Sequence, residues 1–224
     1  MKSPTSIFSE GSYSSDRESF YPFPTDSVIR RTLERFEKSD YCARERKIIA
    51  FFQQLPLNDT KDDVLLKATA LKRFMGNPNI YLPFITHYIL SEKDFDSKLQ
   101  RGVKSIVDGI TASSRARWKY ASFARLYCAF HKPDLYLGSG WESGLVMYER
   151  LYHFMHGENF SGGMKYAAYT KPLWIFRGFY GLEKYSLPDL QHFLHQLYHE
   201  ESEYNAHYHA DKDSKRSSNM FLCL

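Results

Sequence analysis

What most limits the fold of this chain is a period. Apolar residues recur at helical spacing in one short segment after another, and nowhere alternate with the period of two that a half-buried strand needs. Asp26 or Ser27 is placed to cap a first helix in which Ile29, Leu33 and Phe36 share a face. A second helix, about 43 to 55, carries Ile48, Ile49, Phe51, Phe52 and Leu55 before Pro56. A third, about 60 to 75, has Asp62 and Asp63 in its first turn and Lys72 and Arg73 in its last, the order that suits a helix dipole. Apolar helical segments follow through Ile80 to Ile89, at Asp94 to Leu99 and after Gly102. Beyond the middle of the chain, helices are expected at about 144 to 156, 166 to 180 and 187 to 201. Ser186 with Asp189 three residues later forms a capping box for the last of these. The expectation is an all-α, compact multi-helix domain.

The domain is expected to span 26–202, between a mobile N-terminal arm, 1–25, and a flexible C-terminal tail, 203–224. Phe20 to Phe23, at the end of the Ser- and Pro-rich arm, are expected to dock on the body. With 43% hydrophobic residues, and 17 Tyr, 17 Phe and 3 Trp among 224, a substantial aromatic core can form. The net charge of +4 and pI of about 8.8 permit a nucleic-acid partner without demanding one. Cys42, Cys128 and Cys223 are too far apart for a disulfide framework or a C-x-x-C site, and Cys128 is expected to be buried. The sequence has no apolar run of membrane-spanning length and no signal-peptide core. The location expected is therefore a reducing cytoplasm, with no membrane partner.

The chemistry concentrates between Ser113 and Glu142, SSRARWKYASFARLYCAFHKPDLYLGSGWE. Arg115 and Arg117 precede Trp118 and Lys119, an amphipathic helix follows, and a Gly-Ser-Gly turn leads to Trp141. A lysine desolvated beside other cations loses proton affinity, which frees its amine for nucleophilic attack and Schiff-base formation. No Walker loop, dinucleotide fingerprint, H-E-x-x-H or G-x-S-x-G motif occurs. His192, His195 and His199 share a face of the last helix, read as a solvated face, because no cysteine or carboxylate completes a metal-ligand set. No cofactor is implied.

The run Trp118-Lys119-Tyr120-Ala121-Ser122, continued by Phe123 to Tyr127 and a Pro-Asp-Leu turn, resembles a segment of the helix-hairpin-helix DNA glycosylases. The branch it is most similar to is that of the 8-oxoguanine DNA glycosylases, in which a lysine opens one helix and an aspartate begins the next. The run from Phe176 to Leu182 is similar to bacterial proteins of that glycosylase-like fold. Two departures stand out. Thr111-Ala112-Ser113-Ser114 replaces the family's glycine hairpin, and no carboxylate stands between Leu137 and Gly140, where the aspartate is expected.

The resemblance implies an all-helical fold and a base-flipping DNA glycosylase acting on double-stranded DNA. Its substrate class would be an oxidised base, or a modified phage base in an antiviral defence role. It implies Lys119 as nucleophile or electrostatic partner and Glu142 as carboxylate, with Asp134 as the alternative. Trp118, Trp141, Tyr120 and Phe123 would meet the extruded base. Ser113, Ser114, Arg115, Arg117 and Lys132 would meet phosphates. The missing aspartate equally suits a non-catalytic helical module that binds DNA or a protein partner.

Overall fold

The computed structural model describes residues 20–77, 79–113, 117–155 and 165–220, with 117–119 and 207–220 described by their backbone alone. Ten α-helices, and no strand, occur among them. In chain order they are α1 (Asp26–Glu37), α2 (Asp40–Gln54), α3 (Lys61–Phe74), α4 (Leu82–Ser91) and α5 (Phe95–Gln100). Then come α6 (Ser105–Ala112), α7 (Arg117–His131), α8 (Glu142–Tyr152), α9 (Tyr166–Phe179) and α10 (Leu187–Met220).

Side-chain caps set the first three starts. Thr25, not Asp26 or Ser27, caps α1 by accepting from the Val28 N–H. Ser39 accepts from Cys42, which starts α2 three residues earlier than the apolar pattern suggests. Thr60 caps α3. At α10 the capping box forms reciprocally: the Asp189 N–H donates to Ser186 Oγ (3.2 Å) and the Ser186 N–H to Asp189 Oδ2 (2.9 Å). The backbone of α10 continues helically to Met220, beyond the expected end near 201.

Two helices organise the packing. α7 lies against α6, α2 and α3, while α10 lies against α1, α8 and α9. The expected amphipathic character of α7 is corrected by its surroundings. From Tyr120 to His131 every residue is buried except Ser122, and the buried set includes Arg125 and His131. A helix covered on all sides is a core helix.

Polar locks join the parts. The buried Lys67 ammonium donates to Leu55 O (3.0 Å), Leu57 O (2.5 Å) and Asn58 Oδ1 (2.7 Å), which pins the α2–α3 connection. Tyr127 on α7 donates to that same Asn58 oxygen (2.5 Å). Tyr21 is fully buried and donates to Glu201 (2.9 Å), while Tyr148 and Tyr152 donate to the carbonyls of Pro22 and Tyr21. The segment leading into α1 is thus fastened to α8 and α10.

Candidate functional site

A groove of about 540 Å³ opens where the two packing units meet. Its walls are Tyr41 on α2, Phe74 and Met75 at the end of α3, Ser122 and Leu126 on α7, and His195 on α10. Ser139, Gly140, Glu142 and Ser143 close it from the turn that enters α8. Ser122 is the one residue from Tyr120 to His131 that is not buried, and it lines this groove.

The Gly138-Ser139-Gly140 turn is held from two helices and by the neighbouring Trp141. The Gly138 N–H donates to Gln191 on α10 (2.9 Å), and its carbonyl accepts from Tyr169 on α9 (2.6 Å) and from the Trp141 indole (3.3 Å). Gly140 has φ +106°, and a Cβ there would lie 3.0 Å from the His195 ring. Both the backbone angle and the neighbouring imidazole demand glycine.

Glu142 is the first residue of α8. One of its oxygens accepts from the Gly140 N–H (2.6 Å) and the other pairs with Arg125 (3.3 Å). Arg125 in turn lies 3.4 Å above the Tyr169 ring. A buried guanidinium is thereby satisfied by a carboxylate and an aromatic face.

His195 on the α10 wall lies 4.1 Å from the Tyr41 ring and 6.3 Å from His199, ring centre to ring centre. Its Nδ1 is buried and has no hydrogen-bond partner. Burial pushes its pKa down to about 4, so the imidazole is neutral at physiological pH, and burial raises the Tyr41 phenol well above its usual range. His192 stacks on Phe36 (4.2 Å) and lies 3.2 Å from Glu45. The three histidines therefore do share a face, but its first two turns pack against α1 and α2; the expected solvated face is corrected there. Among the described residues no group of three or more His, Cys, Asp or Glu side chains is placed to hold a metal ion.

The sequence candidates separate into groups. Lys119 is the third residue of α7, and positions 119, 122 and 126 form one helical stripe, so its Cα lies one turn before Ser122 beside the groove. Arg117 and Trp118 share that first turn, and Ser114 and Arg115 lie outside the described residues. Ser113 caps the end of α6 by donating to Ile110 O (2.7 Å). Lys132 and Asp134 follow the opposite end of α7, about 20 Å from its start at 1.5 Å per residue. Both therefore stand at the other end of the helix from Arg117 and Lys119.

Trp141, Tyr120 and Phe123 are buried and pack the core. The Tyr120 hydroxyl accepts from the Tyr81 N–H (3.0 Å), and the Trp141 ring lies 4.9 Å from Tyr169. Their rings have no free face for a ligand, so among the described side chains the aromatic walls of the groove are Tyr41, Phe74 and His195. The histidine spacing, read as a solvated face, did not mark the α10 wall, and Tyr41 and Phe74 carried no signal, since each looks like ordinary helical packing.

Over residues 28–135 the chain is similar to the family model HI_0787_N, described as an N-terminal domain. The match runs from α1 to just past α7 and so includes position 119 and the Tyr41, Phe74 and Ser122 walls, whereas Glu142 and His195 lie beyond it. No curated protein and no solved structure matches the chain. Cys42 and Cys128 are buried free thiols, and no helix among the described residues is long and apolar enough to cross a membrane.

Proposed function

We propose that this protein is a DNA glycosylase-like enzyme that draws one modified base out of the duplex into the groove and cleaves its N-glycosidic bond. The observation that carries the reading is the position of Glu142. It opens the helix that follows the lysine helix, as the aspartate does in the helix-hairpin-helix glycosylases that the sequence resembles, and it lines the groove beside the 119–122–126 stripe. Flipping is required because the sugar carbon cannot be reached within the stack, and it costs a few kcal/mol. The neutral Lys119 amine attacks C1′ as the bond to the base breaks. The base leaves with the bonding electron pair and takes up the proton that the amine loses. Opening of the C1′–O4′ bond with protonation of O4′ then gives the Schiff base. Glu142 stabilises the positive charge that develops on the sugar. Tyr41 and His195 receive the extruded ring. The first turn of α7, with Arg117 and the neighbouring Ser113, Ser114 and Arg115, meets the phosphates, where a helix N-terminus favours anions.

A second reading is a DNA-binding module without chemistry. The observation in its favour is the Arg125 ion pair, which already engages one Glu142 oxygen while the Gly140 N–H engages the other.

Duplexes bearing single modified bases, incubated with the protein and heated in alkali, separate the two readings. Excision yields strand breaks at the modified base, borohydride traps a covalent adduct, and Lys119→Ala abolishes the adduct. Glu142→Gln retains the acceptor for Gly140 and lowers the cleavage rate at least a hundredfold while binding persists. Binding without breaks on every duplex establishes the second reading, and an adduct that survives Lys119→Ala removes Lys119 from the mechanism.

A further inference from the structure

Arg125 is a charged residue in a core helix, 7% exposed, with Ala124 and Leu126 buried on either side of it. Stability does not require a charge there. Replacing a buried ion pair by apolar side chains of similar volume is often neutral or stabilising, because desolvation of the two charges offsets their attraction. What the pair does supply is geometry. The groove is lined by Glu142 and not by Arg125, so the guanidinium meets the carboxylate from outside the lining. The guanidinium is itself held 3.4 Å over the Tyr169 ring, whose hydroxyl donates to Gly138 O (2.6 Å).

We infer that Arg125 is a positioning residue, which fixes the Glu142 carboxylate in one orientation at the groove wall before a substrate arrives. The inference rests on the base-excision reading for what the carboxylate does, and on the contacts alone for how it is held. Two donors set the orientation: Arg125 Nη1 stands 3.3 Å from Oε1, and the Gly140 N–H donates to Oε2 (2.6 Å). An ionised carboxylate offers about four lone-pair sites, so these two donors leave it further acceptor capacity toward the groove. A negative charge already in place costs no reorganisation when positive charge develops on the sugar. The guanidinium suits this task because it is planar. It stacks on Tyr169 through a face while donating to Glu142 through an edge, which the compact ammonium of a lysine cannot do.

The test combines cleavage kinetics on a duplex that the parent cuts with amide hydrogen exchange at Gly140, measured by NMR on the full chain. Arg125→Met keeps an unbranched stem and removes the charge, whereas Arg125→Lys keeps the charge and removes the planar stack. Arg125→Met should lower kcat at least thirtyfold with KM within twofold, the mark of an interaction made in the transition state. Arg125→Lys should lose less than tenfold. In a Glu142→Gln background Arg125→Met should cost nothing further, because the two side chains act as a unit. Exchange at Gly140 should speed at least fivefold in Arg125→Met, since the carboxylate no longer stays on that N–H. Melting temperatures show which variants are folded. If Arg125→Met is not, Arg125→Lys and the double variant, which leaves no charge unpaired, decide the matter. A kcat for Arg125→Met within threefold of the parent overturns the inference. So does unchanged Gly140 exchange, a loss that multiplies in the Glu142→Gln background, or a lysine variant no better than the methionine one. A parent that cuts no duplex removes excision; faster Gly140 exchange in Arg125→Met then still upholds the positioning, and unchanged exchange removes both.

Discussion

His131 closes α7 with its rings packed 4.9 Å from Phe52 and 5.1 Å from Tyr127, and its Nε2 is buried without a hydrogen-bond partner. Burial, reinforced by the positive charges of Lys67 and Lys132, pushes its pKa down to about 3. Burial pushes His195 to about 4. Between the ordinary value near 6.5 and these depressed values the unfolded chain binds protons that the folded chain refuses. Stability therefore falls as pH drops through that window and recovers as pH rises. At pH 5 His131 alone costs about 2 kcal/mol relative to neutral pH, and His195, being more open to solvent, adds a smaller amount. His131→Phe removes both the titrating group and an unsatisfied nitrogen whose burial costs about 1–3 kcal/mol. The variant should match or exceed the parent at pH 7 and lose about half as much stability on going to pH 5. Urea midpoints at the two pH values measure this. An acid limb as steep in the variant as in the parent would show that His131 is not its source.

The groove depends on how closely α8 approaches α10. A Cβ on Gly144 would lie 2.4 Å from the Leu194 carbonyl oxygen, a backbone atom that cannot turn aside. Alanine would gain about 1 kcal/mol of helix propensity. Forcing the two backbones apart costs about 1–3 kcal/mol and sometimes more, so the steric term outweighs the propensity term. Gly144→Ala should lower stability by about 2 kcal/mol in a denaturant titration. It should also weaken ligand binding beyond that loss, because Glu142 and His195 ride on the two helices it separates. At this scale much of the fold was legible in the sequence, since period, caps and turn residues locate each helix. Boundaries shifted where a cap outranked the apolar pattern, as Ser39 does for α2. The burial of α7 was not legible. Arg125 and His131 mark a polar face by composition, and only partners remote in the chain, Glu142 and Tyr169 for Arg125 and Phe52 for His131, allow them inside. The site was half legible for the same reason. Glu142 could be picked out locally, whereas His195, Tyr41 and Phe74 become groove walls only once α2 and α3 are docked on α7 and α10.

At the scale of the molecule, a net charge of +4 is too small to draw DNA by itself, so the duplex of the proposed function would have to be held by cations arranged along one side. The fold supplies such an arrangement around the groove. Arg117 stands in the first turn of α7, Arg44 and Lys47 are exposed on α2, and Arg73 is exposed at the end of α3 next to the Phe74 wall. Lys132, although basic, is at the far end of α7. Four or five phosphate contacts predict that the logarithm of the association constant falls with the logarithm of salt concentration with a slope of about −4. Arg73→Ala should reduce the steepness by about one and weaken binding to all duplexes alike, whereas Lys132→Ala should leave the slope unchanged. The contrast matters because both variants remove one positive charge and differ only in where it stood. Equal effects would mean that DNA does not run along the groove. A slope near zero for every variant would mean that the cations contact no phosphate, and a protein surface would then be the partner to seek.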